Sequence, residues 1–489
     1  MVQRKSDCMV VPMKRVMIVE GSAQQKGDVQ VKITEPHIAV GNWVKHSDNA
    51  GNKDPVSRRA RIAAKARSDS SFQFTNLMHH LDQELVEECL ARIPKNSAPG
   101  IDRMTVEQAR KNSNWLLPPL LNQIHQGQYQ APAVRRTYIP KADGQQRKIG
   151  VPEVIDRGLQ AATARILNEI YEQDFLSCSF GYRPGIGSHN ALATIYELLD
   201  KHKLNYALEV DLRDFFGTLN HEWLMKFLAH RIKDKRVLKL VEAWLKAGVM
   251  EQGKWQASEV GSAQGGSISP LLANIYLHYV LDLWFERKIK KQLRGRARLV
   301  RYADDFIILF EKQQDVEEVK VLLEARLAQF NLSISEAKTH TTNLNPRSSG
   351  ASHDRRHITF LGFSIFKAKT RNKTGYKIVF QTDSKRFTRS KAAMKEKLWK
   401  MMHWKVEDQA ERINAILRGY YNYYGLAGNA KRMQSFGYET LRYWRRCLSR
   451  RSQKGLLNWE EMNAVLKKHP LIQPKIRISY PDLNLYVRL

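Results

Sequence analysis

Cysteine is scarce in this chain: Cys8, Cys89, Cys178 and Cys447 are the four present among 489 residues, widely separated and without a C-x-x-C pair. That spacing speaks against a zinc ribbon or a disulfide framework and fits a reducing cytoplasm. Long apolar runs are missing too. The first apolar stretch is interrupted by Pro12, Lys14 and Arg15, so it reads as neither a secretory core nor a membrane span. No lipidation motif, amphipathic anchor or internal repeat is visible, so no membrane partner is expected. His353 and His357 stand four apart, but Asp354-Arg355-Arg356 between them reads as loop, and no metal site is expected there. Acidic residues are also few: 49 Asp and Glu face 80 Lys and Arg, a formal net charge of +31. Such an excess on a compact surface calls for an anionic partner, and nucleic acid is the one it indicates.

What is present is enough apolar residue, 43% of the chain, to fill the cores of two to four domains. Residues 1 to about 70 mix Gly and Asn clusters with scattered charge. They read as a weakly ordered extension that ends in a basic helix or arm, Arg58 to Arg67. Helical spacing of Leu77, Leu81, Leu85 and Leu90 follows, and Trp115 to His125 reads as another helix with a bend or restart at Pro118-Pro119. Asp143-Gly144 between Tyr138–Lys141 and Lys148–Val151 signals a hairpin, and a long helix is expected over roughly Asp156 to Tyr171. Tyr206 to Asp211 reads as a short strand ending in an acid. Helical patterns cover His221 to Lys246 and Pro270 to about Lys291, the second capped by Ser269 with Pro270 at its first position. A helix near Val316 to Phe330 and a strand over Ile358 to Phe366 complete an α+β body. From Lys385 to Lys454 the composition shifts to eighteen Lys and Arg against five acids, with eleven aromatics and no strand pattern. That segment reads as a separate basic helical module.

Tyr302-Ala303-Asp304-Asp305, between Leu299-Val300 and Phe306–Phe310, reads as a hairpin whose turn carries adjacent carboxylates. Alone, Asp-Asp is ordinary turn chemistry. Asp211, at the end of the strand Tyr206 to Asp211, offers a third carboxylate. Three carboxylates from neighbouring strands are the minimum that holds two Mg²⁺ roughly 3.5–4 Å apart for in-line phosphoryl transfer. Lys141 and Arg147 lie on opposite arms of the Asp143-Gly144 hairpin and suit triphosphate oxygens, although a solvated basic hairpin has the same composition. Gln264-Gly265-Gly266-Ser267 allows close backbone approach to a ligand. Phe216, five residues beyond Asp211, is bulky enough to exclude a 2′-hydroxyl from a nucleotide pocket, and equally ordinary as core packing. In the basic module, Arg418-Gly419-Tyr420-Tyr421-Asn422-Tyr423-Tyr424 and Tyr443-Trp444-Arg445-Arg446 combine rings that stack on bases with cations for phosphates. One stripe of those tyrosines is expected to pack and the other to bind.

Taken in order from Asn96 to Arg451, these blocks resemble the reverse transcriptase/maturase proteins of bacterial group II introns. Ser97–Asp102, Ile139-Pro140-Lys141 through Arg147 and Ile149–Pro152, Ser179–Gly185, Asp211 with Phe216, Gln264–Asn274, Tyr302–Asp305, Lys338, Phe360-Leu361-Gly362-Phe363 and Arg418–Gly425 carry the likeness. Two departures stand out: Ser262-Ala263 where Thr-Pro or Ser-Pro is usual, and Gly217 where Asp commonly follows the aromatic. The resemblance implies a right-hand polymerase fold: fingers, a palm with an antiparallel sheet, and a helical thumb called domain X. Its parts would be a basic extension (1–70), a helical N-terminal segment (71–130), fingers (131–205), palm (206–384), thumb (385–455) and a tail (456–489). It implies RNA-directed DNA synthesis and assistance to splicing and mobility of the protein's own intron RNA. Asp211, Asp304 and Asp305 would be catalytic and, with Leu212, would bind two Mg²⁺, for which Mn²⁺ could substitute. Lys141, Arg147, Phe216, Gln264 and Lys338 would form the nucleotide pocket. Arg418, Tyr420, Tyr424, Arg445 and Arg446 would grip RNA or template–primer. Expected partners are group II intron RNA, an RNA template with DNA or RNA primer, a DNA target and dNTPs. Localisation would be the bacterial cytoplasm, at the nucleoid when on target DNA. No zinc-containing HNH nuclease pattern follows the thumb, so priming from an existing 3′ end is expected. The sequence leaves open an RNA-binding maturase with incidental polymerase activity, a domesticated enzyme of repair or phage defence, and either a monomer or a homodimer. An RNA-dependent RNA polymerase shares the acids, and Phe216 argues against it.

Overall fold

The computed structural model describes residues 15–18, 31–34, 55–140, 146–251, 254–257, 265–345, 356–370, 372, 374–451 and 455–489. Its centre is a four-stranded antiparallel sheet in the order His340–Asn343, Tyr206–Asp211, Asp305–Phe310, Ala297–Tyr302. Strand Asp305–Phe310 is buried along its whole length, because both faces of the sheet are covered. Phe306, Ile308 and Phe310 join Leu208 and Val210 in one core, under the helices Val154–Asp174 and Ser269–Leu277. Ile307 and Leu309 point the other way, joining Ala207 and Val300 in a second core with the helix Ser188–Asp200 and the C-terminal helices. The period-2 alternation of a strand thus serves two cores at once, each buried Ile, Leu or Phe contributing about 1.5–3 kcal/mol.

A second four-stranded sheet runs Gln146–Val151, Val134–Pro140, Val249–Glu251, Lys254–Gln256, parallel only at its middle pair. The two arms expected around Asp143-Gly144 are present; the turn itself lies outside the described residues. A third sheet comprises Ile358–Phe360, Phe363–Lys369 and Tyr376–Thr382. The single strand expected over Ile358 to Phe366 is therefore two strands. The break comes at Leu361-Gly362, both with positive φ (48° and 78°), as a tight primed hairpin turn requires.

Other expectations shift in detail. The helical pattern over His221 to Lys246 divides into His221–Arg231 and Lys235–Lys246. Asp234 causes the break: it caps the second helix through Arg236 N and accepts Leu77 N at 2.8 Å and Met78 N at 2.9 Å. Pro118 and Pro119 lie inside one helix, Ser113–His125, with no restart. The helix expected to be capped by Ser269 begins with it, and Ile268 is the cap residue. Near the N-terminus, strands Arg15–Ile18 and Val31–Thr34 pair antiparallel. The basic arm is the helix Pro55–Ser68, and it is docked: Ile62 and Ala66 are in the first core and Arg67 Nε donates to Gln173 Oε1 at 3.0 Å.

The C-terminal module is the helices Ser384–Lys400, Val406–Tyr424 and Ala430–Ser449 around the fully buried Trp444, whose Nε1 donates to Gln409 Oε1 at 2.8 Å. After Trp459–Lys468 the chain turns back. Ile478 bridges Leu426, and Asn190 Nδ2 donates to the Tyr486 carbonyl at 3.0 Å. The segment expected as a tail thus joins the helical module to helix Ser188–Asp200. No helix among the described residues is long and apolar enough to cross a membrane.

Candidate active site

Tyr302 and Asp305 are the last pair of their hairpin, leaving Ala303-Asp304 as a two-residue turn. Ala303 has φ +59°, the left-handed region that primed turns need and that usually falls to Gly. Gly181 lies against it: a Cβ on Gly181 would stand 2.4 Å from Ala303 N. The acids are not on a solvated loop. Asp304 and Asp305 are 3% and 4% exposed.

The neighbouring strand delivers the third acid. Asp211 is the register partner of Asp305 and is equally buried. Three carboxylates are thereby set at one end of two central strands. The Asp211 carbonyl accepts from Ser335 N at 2.8 Å, and Lys338 Nζ lies 3.2 Å from Asp211 Oδ2. Lys338, expected in the nucleotide pocket, thus meets this acid directly. Leu212 follows with its side chain buried in the first core, so only its main chain can serve a cation. Glu209, two residues before Asp211, is buried but structural: it accepts from Thr342 Oγ1 at 3.0 Å and Thr359 N at 2.8 Å. Among the described residues no three His, Cys, Asp or Glu side chains form a ready-made metal cage. Hard carboxylate oxygens still suit a divalent ion that keeps waters and takes substrate phosphates as ligands.

Phe216 is 8% exposed, in a single helical turn, Phe215–Thr218, and packs edge-on against Phe215 at 5.3 Å. The unusual Gly217 has a local reason: a Cβ there would stand 2.3 Å from Asp214 Oδ2. Arg147 is half-buried opposite Ile139. Lys141 and Gln264 lie outside the described residues. Gly265, φ +136°, packs where a Cβ would be 2.3 Å from the Gly150 carbonyl. The glycine loop and the strand bearing Arg147 are therefore adjacent.

The basic module corrects two expectations. Tyr420 and Tyr424 are 9% and 5% exposed. Tyr420 stacks on Phe436 with centroids 3.9 Å apart and lies 4.6 Å from Tyr424, so these rings serve the core and not bases. Arg445 is also engaged, donating to the Leu457 carbonyl at 3.0 Å with its guanidinium 4.4 Å over Trp459. Arg418 and Arg446 are exposed. Tyr423, in the same tyrosine block, donates its hydroxyl to the Leu361 carbonyl at 2.8 Å. Arg301, behind the acidic turn, was not among the expected site residues. Its signal was an arginine inside an otherwise apolar strand, which must find partners if buried.

Residues 139–365 match the family described as reverse transcriptase (RNA-dependent DNA polymerase), and residues 388–464 match the group II intron maturase-specific domain. Protein YkfC of Escherichia coli is 30% identical over 349 residues, 64% of this chain and 88% of that protein. The chain belongs to the group II intron reverse transcriptase/maturase family. Group II intron-encoded protein LtrA of Lactococcus lactis subsp. cremoris is 27% identical over 453 residues, covering 77% of this chain and 75% of LtrA. An uncharacterised 91 kDa protein in the cob intron of Schizosaccharomyces pombe is 26% identical over 372 residues, 62% of this chain and 45% of that protein. As a reverse transcriptase/maturase, the chain is an RNA-directed DNA polymerase of right-hand fold. It depends on a divalent metal, and its substrates are nucleic acids, intron RNA among them.

Proposed function

We propose that this enzyme extends a DNA or RNA primer on an RNA template with dNTPs, at a site built from Asp211, Asp304 and Asp305. The observation that carries this reading is the register Asp211↔Asp305 beside the two-residue turn Ala303-Asp304. The three carboxylates and the Leu212 carbonyl would hold two Mg²⁺, with Mn²⁺ as substitute; when bound, these ions lower the pKa of the attacking 3′-hydroxyl and stabilise the departing pyrophosphate. Lys338 neutralises part of the charge at Asp211. Arg147, with Lys141 on the opposite arm and Gln264 on the glycine loop, binds the triphosphate and shapes the pocket, and the Phe216 ring takes the space of a 2′-hydroxyl. Residues 131–205 serve as fingers, 206–384 as palm and 385–455 as thumb. The exposed Arg418 and Arg446 contact the phosphates of template–primer or intron RNA. The protein would act in the bacterial cytoplasm and at the nucleoid, where a DNA target supplies the primer for intron mobility.

Primer extension on an annealed RNA template with Mg²⁺ tests this directly. dNTP incorporation that disappears in Asp304→Asn is the expected result, and preferential use of NTPs would refute the assignment. Replacing Phe216 by Ala should relax discrimination against NTPs.

A further inference from the structure

Arg301 is fully buried, on the strand that leads into the acidic turn. A guanidinium has five N–H donors, and here every one is engaged. Nε donates to Asp282 Oδ1 at 2.7 Å, and Nη2 donates to Asp282 Oδ2 at 2.5 Å and Ser179 Oγ at 2.7 Å. Nη1 donates to Asn274 Oδ1 at 2.9 Å and to the Ala303 carbonyl, inside the turn, at 3.0 Å. Asn274 in turn donates Nδ2 to the Gly181 carbonyl at 2.7 Å, and Gly181 is the residue packed against Ala303 N. Turn, arginine, asparagine and glycine close into a ring.

The backbone reinforces it. Arg301 N donates to the Cys178 carbonyl and Phe180 N donates to the Arg301 carbonyl, both at 2.8 Å. Asp282 ends a turn of π-helix, His278–Asp282, in the helix that follows Ser269–Leu277, and such widened turns often re-aim a side chain at a functional site. The carboxylate has a second neighbour, His278 Nδ1 at 4.0 Å. Burial pushes the His278 pKa down to about 4, so at neutral pH the histidine is uncharged and Asp282 pairs with Arg301. Burial alone would lower the arginine's own pKa, but Asp282 outweighs it and holds the guanidinium charged.

We propose that Arg301 is a positioning residue for nucleotidyl transfer, its guanidinium fork holding the Ala303-Asp304 turn through the carbonyl of the left-handed Ala303 so that Asp304 and Asp305 are fixed opposite Asp211. This rests on the assignment of those aspartates as the catalytic site. A buried arginine whose only task was stability could be satisfied anywhere along the strand; this one spends a donor on the turn and ties it to both flanking segments. Lysine keeps the charge but offers a point donor in place of a planar fork, so Arg301→Lys should lose the turn bond while retaining the Asp282 pair.

The test uses the full-length enzyme on annealed template–primer, with Asp304→Asn as reference. For Arg301→Lys, kcat should fall on the order of 30- to 100-fold, the scale of small misplacement of reacting groups. The dNTP KM and template–primer Kd should stay within about threefold, because those contacts lie elsewhere. Backbone amide exchange of a peptide spanning 301–306 should rise at least about tenfold while the C-terminal helices are unchanged. If Arg301→Lys does not fold, Ser179→Ala removes one of the five acceptors that fix the guanidinium and should show the same pattern, kcat down several-fold with unchanged Kd. Wild-type kcat and exchange in the folded variant overturn the proposal, as does a loss of kcat that merely tracks lost template affinity or melting temperature. An active Asp304→Asn would overturn the site assignment itself, a separate failure.

Discussion

The acidic turn of the proposed palm and the tyrosine-rich helix of the proposed thumb, Val406–Tyr424, are both short blocks of chemically conspicuous residues, and they behave oppositely on folding. In the turn, two residues between paired strands leave the backbone no alternative, so Asp304 and Asp305 are delivered beside Asp211 by register. In the helix, Tyr420, Tyr421 and Tyr424 fall on the stripe facing the core, Asn422 faces solvent and Tyr423 reaches Leu361. A side chain's chemistry is thus advertised by its motif only where local geometry permits one orientation. On a helix, the surrounding bundle decides which face is used.

The sharpest break of this comparison is Asp304→Asn, which keeps the turn's shape and removes a charge. Primer extension should fall by roughly three orders of magnitude, about 4 kcal/mol of transition-state stabilisation. Template–primer affinity and melting temperature should barely move. The thumb should respond the other way. Tyr420→Ala removes a ring stacked on Phe436 and should cost about 3–5 kcal/mol of stability, seen in urea melts, with polymerase and RNA-binding losses following unfolding. If Tyr420→Ala left stability intact and abolished RNA binding, the contrast would collapse.

The same contrast explains how much was legible beforehand. Strand Tyr206–Asp211 and the acidic hairpin follow from short apolar runs bounded by acids, and long periodic helices such as Val154–Asp174 follow from spacing. The break at Asp234 was not legible, because its decisive partners, Leu77 N and Met78 N, are far away in sequence. Nor was the Leu361-Gly362 turn inside an apparently continuous strand, where Leu361 takes a positive φ that local preference disfavours. The site follows the same rule. Its carboxylates were readable as a motif, whereas the support behind them draws on Ser179, Asn274 and Asp282, which only the fold brings to Arg301.

A smaller effect separates the regions by pH. His278, beside Asp282, has a pKa lowered by burial to about 4, below its ordinary value near 6.5. The folded state therefore favours the neutral ring. Its contribution is complete above pH 6.5 and is lost as pH falls through 6.5 toward 4, while the unfolded chain gains the proton first. The window is worth about 3 kcal/mol. Melts of wild type and His278→Gln at pH 7, 5.5 and 4 should show a shallower acid loss in the variant. Parallel curves would mean that His278 takes up its proton in the folded protein as readily as in the unfolded chain.

The smallest effect falls on the thumb's exposed charge. Arg446 is open to solvent, so Arg446→Ala should leave urea melts unchanged and weaken intron RNA binding roughly threefold at low salt, as expected for one lost phosphate contact. The plot of log affinity against log salt should lose about 0.7–1 unit of slope, because one fewer counterion is released. Tyr420→Phe supplies the matching control: it keeps the ring in place against Phe436 and should leave both affinity and slope unaltered. A large loss in Tyr420→Phe together with none in Arg446→Ala would return the tyrosine hydroxyl to the binding surface. The opposite pair of results would locate thumb recognition in its exposed cations, with the aromatic stripe serving only to keep the helices that carry them in place.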